Sequence, residues 1–245
     1  MMFVNSFRSE WIKTKRSAAS WLCLIGGFFI PLIYMIIFLK DGGTLDTYGP
    51  GMWQKHFTQL WQNMAVFLLP MGVILASSLI TQMEYKNNTW KQLHTTPQSY
   101  TTIFFAKFGV ILVMTFKFFL FFNIGILLTA YIPTLIFKGG LPAESLPIGY
   151  FLEGNAKIFA TCLPVLAIQY LISLNFKNFL VPIGIGLLGL IGSLIGMPWK
   201  YIYISPYSYC ALYVFNPKPS HYPVIYFAAI MLLSYYLYLT KKEKG

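Results

Sequence analysis

Residues 18–39 read AASWLCLIGGFFIPLIYMIIFL, 22 consecutive positions without a charged side chain. About 20 apolar helical residues are needed to cross a bilayer core of about 30 Å. In lipid, each backbone N–H and C=O must be satisfied within the spanning structure, and a helix does so. Arg8, Lys13, Lys15 and Arg16 precede the run, as basic residues precede a secretory leader core. The run is longer than such a core and no small-residue cleavage site follows it, so it reads as a retained first transmembrane helix.

Five further apolar stretches follow, at residues 60–81, 103–132, 156–174, 179–196 and 222–240. The third is too long for lipid alone, since 30 helical residues extend about 45 Å. It is expected to start outside the membrane near Thr96-Pro97 and to enter lipid near Val110. Thr96 suits an N-cap and Pro97 the first helical position, where a missing N–H costs nothing. The expected fold is all-α: one polytopic integral membrane domain over residues 1–245, with six transmembrane helices.

Composition agrees. The chain is 57% apolar, 18% aromatic and 10% charged, against about 25% charged residues in soluble domains. The formal charge of +11 is spread between the apolar runs rather than gathered in one patch. It therefore speaks against a nucleic-acid partner and reports topology. Eleven basic residues (Arg8, Lys13, Lys15, Arg16, Lys86, Lys91, Lys107, Lys177, Lys241, Lys242 and Lys244) lie on one set of connections, and six (Lys40, Lys55, Lys138, Lys157, Lys200 and Lys218) on the other. The richer set marks the cytoplasmic side, which puts both termini inside.

Residues 1–17 form an expected interfacial helix. Phe3, Phe7 and Trp11 recur every four residues with Val4 and Ile12 beside them, and Ser6, Glu10 and Lys13 lie opposite. An amphipathic helix of this kind lies in the membrane interface with its polar face toward water.

Several chemistries have no sequence support. No G-x-x-x-x-G-K-[ST] element occurs, so no P-loop cradles a nucleotide. Gly184, Gly186 and Gly189 match a dinucleotide pattern, but inside an expected span and without a preceding strand. Gly189 with Ser193 and Gly192 with Gly196 are small residues four apart, the spacing of close helix packing. Cys23, Cys162 and Cys210 have no metal-ligand spacing, and Cys23 and Cys162, which fall within apolar runs, read as buried small hydrophobes. The expected spans hold no Asp or Glu, and His56, His94 and His221 fall outside them. A proton relay through the membrane needs such groups, so work done here should draw on another chain, with no metal or cofactor bound by this one.

Lys117 is the charged exception, and it reads either as a polar path with Asn123 and Gln169 or as a snorkelling side chain. Between the last two spans, Trp199, Tyr201, Tyr203, Tyr207, Tyr209, Tyr213, Phe215 and Tyr222 crowd together. An aromatic belt at the headgroup level is the favoured reading, and a half-inserted hairpin the alternative.

The remaining segment, residues 82–102, is too polar and long for a simple cytoplasmic turn. Trp90, Leu93, Pro97 and Tyr100 recur at three and four residues, giving one apolar face on a short surface helix. Such a face can dock in a partner's groove, and an interfacial loop with no partner fits the same pattern.

Residues 7–17, FRSEWIKTKRS, leading straight into the first span, and residues 84–97, EYKNNTWKQLHTTP, followed by FFAK at 104–107, resemble permease subunits of type-2 ABC exporters. They are most similar to the small permeases of bacitracin- and lantibiotic-immunity transporters. The resemblance implies that residues 1–17 are the elbow helix and that residues 82–102 are the coupling segment. Glu84, Asn88, Thr89, Trp90, Lys91, Leu93 and Pro97 would meet a separate ATPase, and Lys107 would open the third span. Where family members carry a basic residue soon after the proline, this chain has Gln98-Ser99-Tyr100.

The resemblance further implies two copies of an ABC ATPase, which bind ATP and Mg, a second permease that is identical or homologous, and a bacterial cytoplasmic (inner) membrane location. The cargo would be amphiphilic, with peptide antibiotics the named example. Two rival readings stand beside it: a membrane-embedded lipid-modifying enzyme and a non-transporting scaffold or assembly factor.

Overall fold

The computed structural model of the protein describes residues 2–15, 17–86, 99–215 and 221–240. Among these residues the chain is helical, with no strand. The helices are α1 (Met2–Thr14), α2 (Ala18–Asp41), α3 (Met52–Asn63), α4 (Leu69–Lys86), α5 (Tyr100–Lys138), α6 (Ile148–Asn175), α7 (Leu180–Ile195), α8 (Tyr209–Phe215) and α9 (Tyr222–Thr240).

Among the described residues, five stretches are long and apolar enough to cross a membrane: α2, the run Met52–Met83 formed by α3 and α4, α5, α6 and α9. The sixth apolar helix, α7, has 16 residues, which is about 24 Å and short of a full hydrocarbon core. Several helices extend beyond their apolar runs, because a polar turn at a membrane helix end can sit among headgroups or loops. The extension of α3 has a consequence for His56. Expected outside the spans, it instead lies fully buried in a helix continuous with one.

α3 and α4 join through a π-helical turn at Met64–Leu68, where the Leu69 N–H bonds Met64 O five residues back. Pro70 follows and has no N–H to give, so the hydrogen-bond ladder must readjust near it. The start of α5 also differs from expectation. Ser99 is the N-cap, its side chain accepting from Thr102 N at 3.3 Å; Thr96 and Pro97 lie outside the described residues.

α5 is the longest element, with 39 residues, or about 58 Å. It packs against α1 near its start, α2 along its middle and the loops that flank α3 near its end. α2 and α5 approach through reciprocal notches. A Cβ on Gly27 would stand 2.8 Å from Phe121 Cβ and 3.0 Å from Phe118 O, and one on Gly125 would stand 2.6 Å from Pro31. Van der Waals packing of this kind drives helix association in lipid, where no hydrophobic force separates helix from solvent. α4 touches α2, α5, α6 and α7, and α6 packs against α9.

The aromatic segment after α7 is partly folded into the bundle. Two 3₁₀ turns, Ile202–Ile204 and Pro206–Ser208, lead into α8. Tyr207, Tyr209, Cys210 and Ala211 are buried, whereas Trp199, Tyr201, Tyr203, Phe215 and Tyr222 are exposed. The segment therefore combines a docked turn with an exposed aromatic rim.

Candidate functional site

α1 is joined to α5 by its polar side. Ser6, Glu10 and Thr14, spaced four apart on one face, are buried. Glu10 Oε2 accepts from Lys107 Nζ at 3.3 Å, and Glu10 also pairs with Lys13. Lys107 is only 1% exposed, so its ammonium is stabilised where desolvation would otherwise be costly. Burial pushes the Glu10 carboxyl up, but Lys107 and Lys13 outweigh it and hold the group below its usual range. The sequence reading placed Ser6 and Glu10 toward water; the buried Lys107 reverses this.

The aromatic edge of α1 forms a ladder. Phe3 and Phe7 stack with centroids 6.5 Å apart, as do Phe7 and Trp11. The Phe7 ring lies over Gly109, where a Cβ would come within 3.2 Å. Lys117 Nζ lies 4.3 Å from the centroid of the Trp11 ring, inside the cation–π range of about 6 Å. Adjacent residues of α1 thus hold two lysines ten positions apart on α5.

Of the coupling residues, Glu84 belongs to the last turns of α4. Asn88, Thr89, Trp90, Lys91, Leu93 and Pro97 lie outside the described residues. The chain that follows them is anchored: Thr101 Oγ1 and Tyr235 OH are 2.7 Å apart, and Tyr170 OH donates to Phe104 O at 2.8 Å. Phe104 packs among Tyr170, Tyr235 and Tyr238. α5 therefore begins fixed to both α6 and α9.

The three path residues keep separate partners. Lys117 faces Trp11. Asn123 donates to Phe119 O on its own helix at 2.8 Å, and its buried Oδ1 has no hydrogen-bond partner among the described residues. Gln169 is fully buried in a node of its own. Its Nε2 donates to Pro182 O at 2.8 Å and Ser78 Oγ at 3.2 Å, and its Oε1 accepts from Tyr207 OH at 3.1 Å. The node ties α4, α6, α7 and the docked aromatic turn together.

The small residues of α7 receive that turn. The Tyr207 ring occupies the space over Gly189, where a Cβ would stand 2.6 Å away. Ser193 Oγ is 2.5 Å from Ser205 Oγ, and a Gly196 Cβ would meet Ile202 at 3.2 Å. Gly192 has nothing nearby. Gly186, which sequence reasoning did not include among packing residues, makes room for Gln169 and Ile74.

The opposite end of the bundle is held by loops. Asp46 accepts from Ala143 N at 3.0 Å and from Lys138 Nζ at 2.5 Å. These two bonds keep its carboxyl below the ordinary range. Glu144 Oε1 accepts from Gly51 N, and its backbone carbonyl from Trp53 Nε1, both at 2.9 Å. His56 Nε2 lies 3.1 Å from Thr129 Oγ1 and 3.3 Å from Ile126 O. Sequence reasoning missed this contact because His56 precedes the apolar run. Two openings flank α3: a cleft of about 470 Å³ lined by Tyr34, Tyr48, Gln59 and Asn63 with aliphatic side chains of α2, and a smaller pocket beside α6.

Among the described residues, no group of three or more His, Cys, Asp or Glu side chains could hold a metal, and all three cysteines are free and buried. The geometry is that of a multi-pass helical membrane protein whose polar groups tie helix to helix. Residues 6–193, well over half of the chain, match the model of the ABC-2 family transporter protein. The chain belongs to that family and is a permease subunit of an ABC transporter, a transport component that works with an ABC ATPase in a lipid membrane. No curated protein and no solved structure matches it.

Proposed function

We propose that this chain is the membrane subunit of an ABC exporter in a bacterial cytoplasmic membrane, with six spans and both termini inside. α7 would complete the sixth crossing together with the turn beyond it. α1 is the interfacial elbow, and residues 82–102 are the coupling segment, with Glu84, Asn88, Thr89, Trp90, Lys91, Leu93 and Pro97 meeting the ATPase. Two ATPase copies, which bind ATP and Mg, and a second permease, identical or homologous, complete the assembly. The cargo is amphiphilic, and a peptide antibiotic fits the resemblance to immunity permeases.

The observation that carries this reading is the buried attachment of α1 to α5 through Glu10 and Lys107. Together with the fixed start of α5, it gives a push on the preceding segment a rigid element to act on. Closure of the ATPases would push on α4 and on α5, which carries α1 and α2 with it. Work of this kind needs a motor on another chain, because no P-loop occurs in the sequence.

Co-purification tests the proposal. The wild-type chain should retain an ATPase carrying a P-loop, and the pair Trp90→Ala and Leu93→Ala should release it while the permease stays folded. Retention of the ATPase by that variant would overturn the assignment of the coupling segment.

A further inference from the structure

The pocket beside α6 brings together a combination that the permease reading does not use. It is lined by Thr58 and Trp61 of α3, Tyr150, Glu153 and Lys157 of α6, and Tyr213 of α8. Gly154 shapes it: a Cβ there would stand 2.2 Å from the Trp61 ring, so only glycine lets the indole lie this close to α6. The Trp61 and Tyr150 rings are 5.7 Å apart, and Thr58 Oγ1 is 3.3 Å from Tyr150 OH. Trp61 is 5% exposed, yet its indole N–H meets no acceptor among the described residues.

We propose that this pocket binds the headgroup of a zwitterionic phospholipid, with its ammonium against Glu153 and the tyrosine rings and its phosphate on Lys157. Three observations carry the assignment. The first is charge: the pocket presents one carboxylate and one ammonium, which match a headgroup carrying one charge of each sign and favour neither an anion nor a cation alone. Glu153 and Lys157 pair with each other as exposed groups, their side chains 65% and 53% accessible. Such pairs are weak, and a ligand can exchange one for two pairings of its own.

The second is the aromatic wall, since tyrosine and tryptophan faces attract an ammonium within about 6 Å. The third is size and setting. The volume of about 190 Å³ is below the roughly 300–1,000 Å³ of pockets that bury a drug-sized molecule. A headgroup fits this if its tails stay outside. Leu152 and Phe215, the chain neighbours of Glu153 and of Val214 at the pocket's edge, are 60% and 61% exposed and offer those tails an apolar surface.

The inference rests on the membrane placement of the chain and not on its coupling to an ATPase. The full chain would be reconstituted in nanodiscs of equal parts phosphatidylethanolamine and phosphatidylglycerol, and the lipids it retains counted by native mass spectrometry. Wild type should keep phosphatidylethanolamine over phosphatidylglycerol by about tenfold, the scale of one ion-pair or cation–π contact. The double variant Glu153→Gln and Lys157→Gln should lose this preference while keeping the wild-type melting temperature and ATPase co-purification. An unchanged preference in the double variant would overturn the site, as would a wild-type preference for phosphatidylglycerol. Displacement of the lipid by a cationic amphiphilic peptide, dependent on Glu153 but not Lys157, would overturn it in favour of a peptide site. Loss of the ATPase from the wild type would count against the permease reading and leave this one standing.

Discussion

Glu10 on the N-terminal helix and Lys107 on the longest helix form an ion pair 3.3 Å apart, with Lys107 almost entirely removed from solvent. Removing the charge of one partner leaves the other buried and uncompensated, which is far more costly than replacing both. Glu10→Gln should therefore lower stability by about 3–5 kcal/mol and make the first residues of the chain sensitive to protease. The paired change Glu10→Leu with Lys107→Met should recover most of the loss. Thermal unfolding in detergent, read beside limited proteolysis, measures both.

The same pair sets a pH dependence. Folding holds the Glu10 carboxyl below its ordinary value, so its contribution is complete above the unfolded value of about 4.3 and is lost as pH falls through the lower folded value. Attachment of α1 should not vary between pH 5 and 8 through this group and should weaken only in acid. The midpoint of that acid loss should disappear in the Glu10→Leu, Lys107→Met pair. An unaltered acid midpoint would place its origin elsewhere, with Asp46 the next carboxylate to test.

Asp46 holds the Lys138 end of α5 and the turn at Ala143 together. Asp46→Asn keeps one acceptor and removes the charge, so a loss of about 1 kcal/mol is expected. The effect should appear as faster hydrogen exchange confined to residues near 44–50 and 138–144.

Glycine substitutions separate packed from open positions. Gly27→Ala must displace Phe121 or the α5 backbone and should cost about 1–3 kcal/mol. Gly184→Ala meets nothing within 4 Å and should be neutral or stabilising by up to about 1 kcal/mol. Melting temperatures of the two variants, measured side by side, should move in different directions or by clearly different amounts.

Gln169 serves Ser78, Pro182 and Tyr207 at once. Gln169→Leu leaves several buried polar groups unmatched, and a loss of about 2–3 kcal/mol is expected. Tyr207→Phe removes one bond and should cost about 1 kcal/mol. The order of the two, obtained from thermal unfolding, is the sharper check.

Apolar helices of spanning length could be read from the sequence, because a charge-free run of about 20 residues has few alternatives to a membrane helix. Five stretches among the described residues meet that standard. The orientation of α1 could not be read in this way: the alternation of Phe7 and Trp11 with Ser6 and Glu10 shows that the helix has two faces but not which one meets protein. That depended on Lys107, nearly a hundred residues away. The turn at 202–208 was hidden for another reason, since tyrosines suit a headgroup belt and a docked segment equally. Gly189 and Ser193 held the missing signal, because the first leaves the space that the Tyr207 ring fills and the second bonds Ser205. His56 was misplaced because hydropathy marks where a helix becomes apolar, not where it begins.

The interlocking of Gly27 with the Phe118–Phe122 turn, and of Pro31 with Gly125, forbids one helix from sliding past the other. α1 and α2, both packed against α5, then travel with it as a single block. Any shape change during a working cycle then falls on other contacts, and the π turn at Met64–Leu68, ahead of Pro70, is the irregular point in the hydrogen-bond ladder of the α3–α4 run.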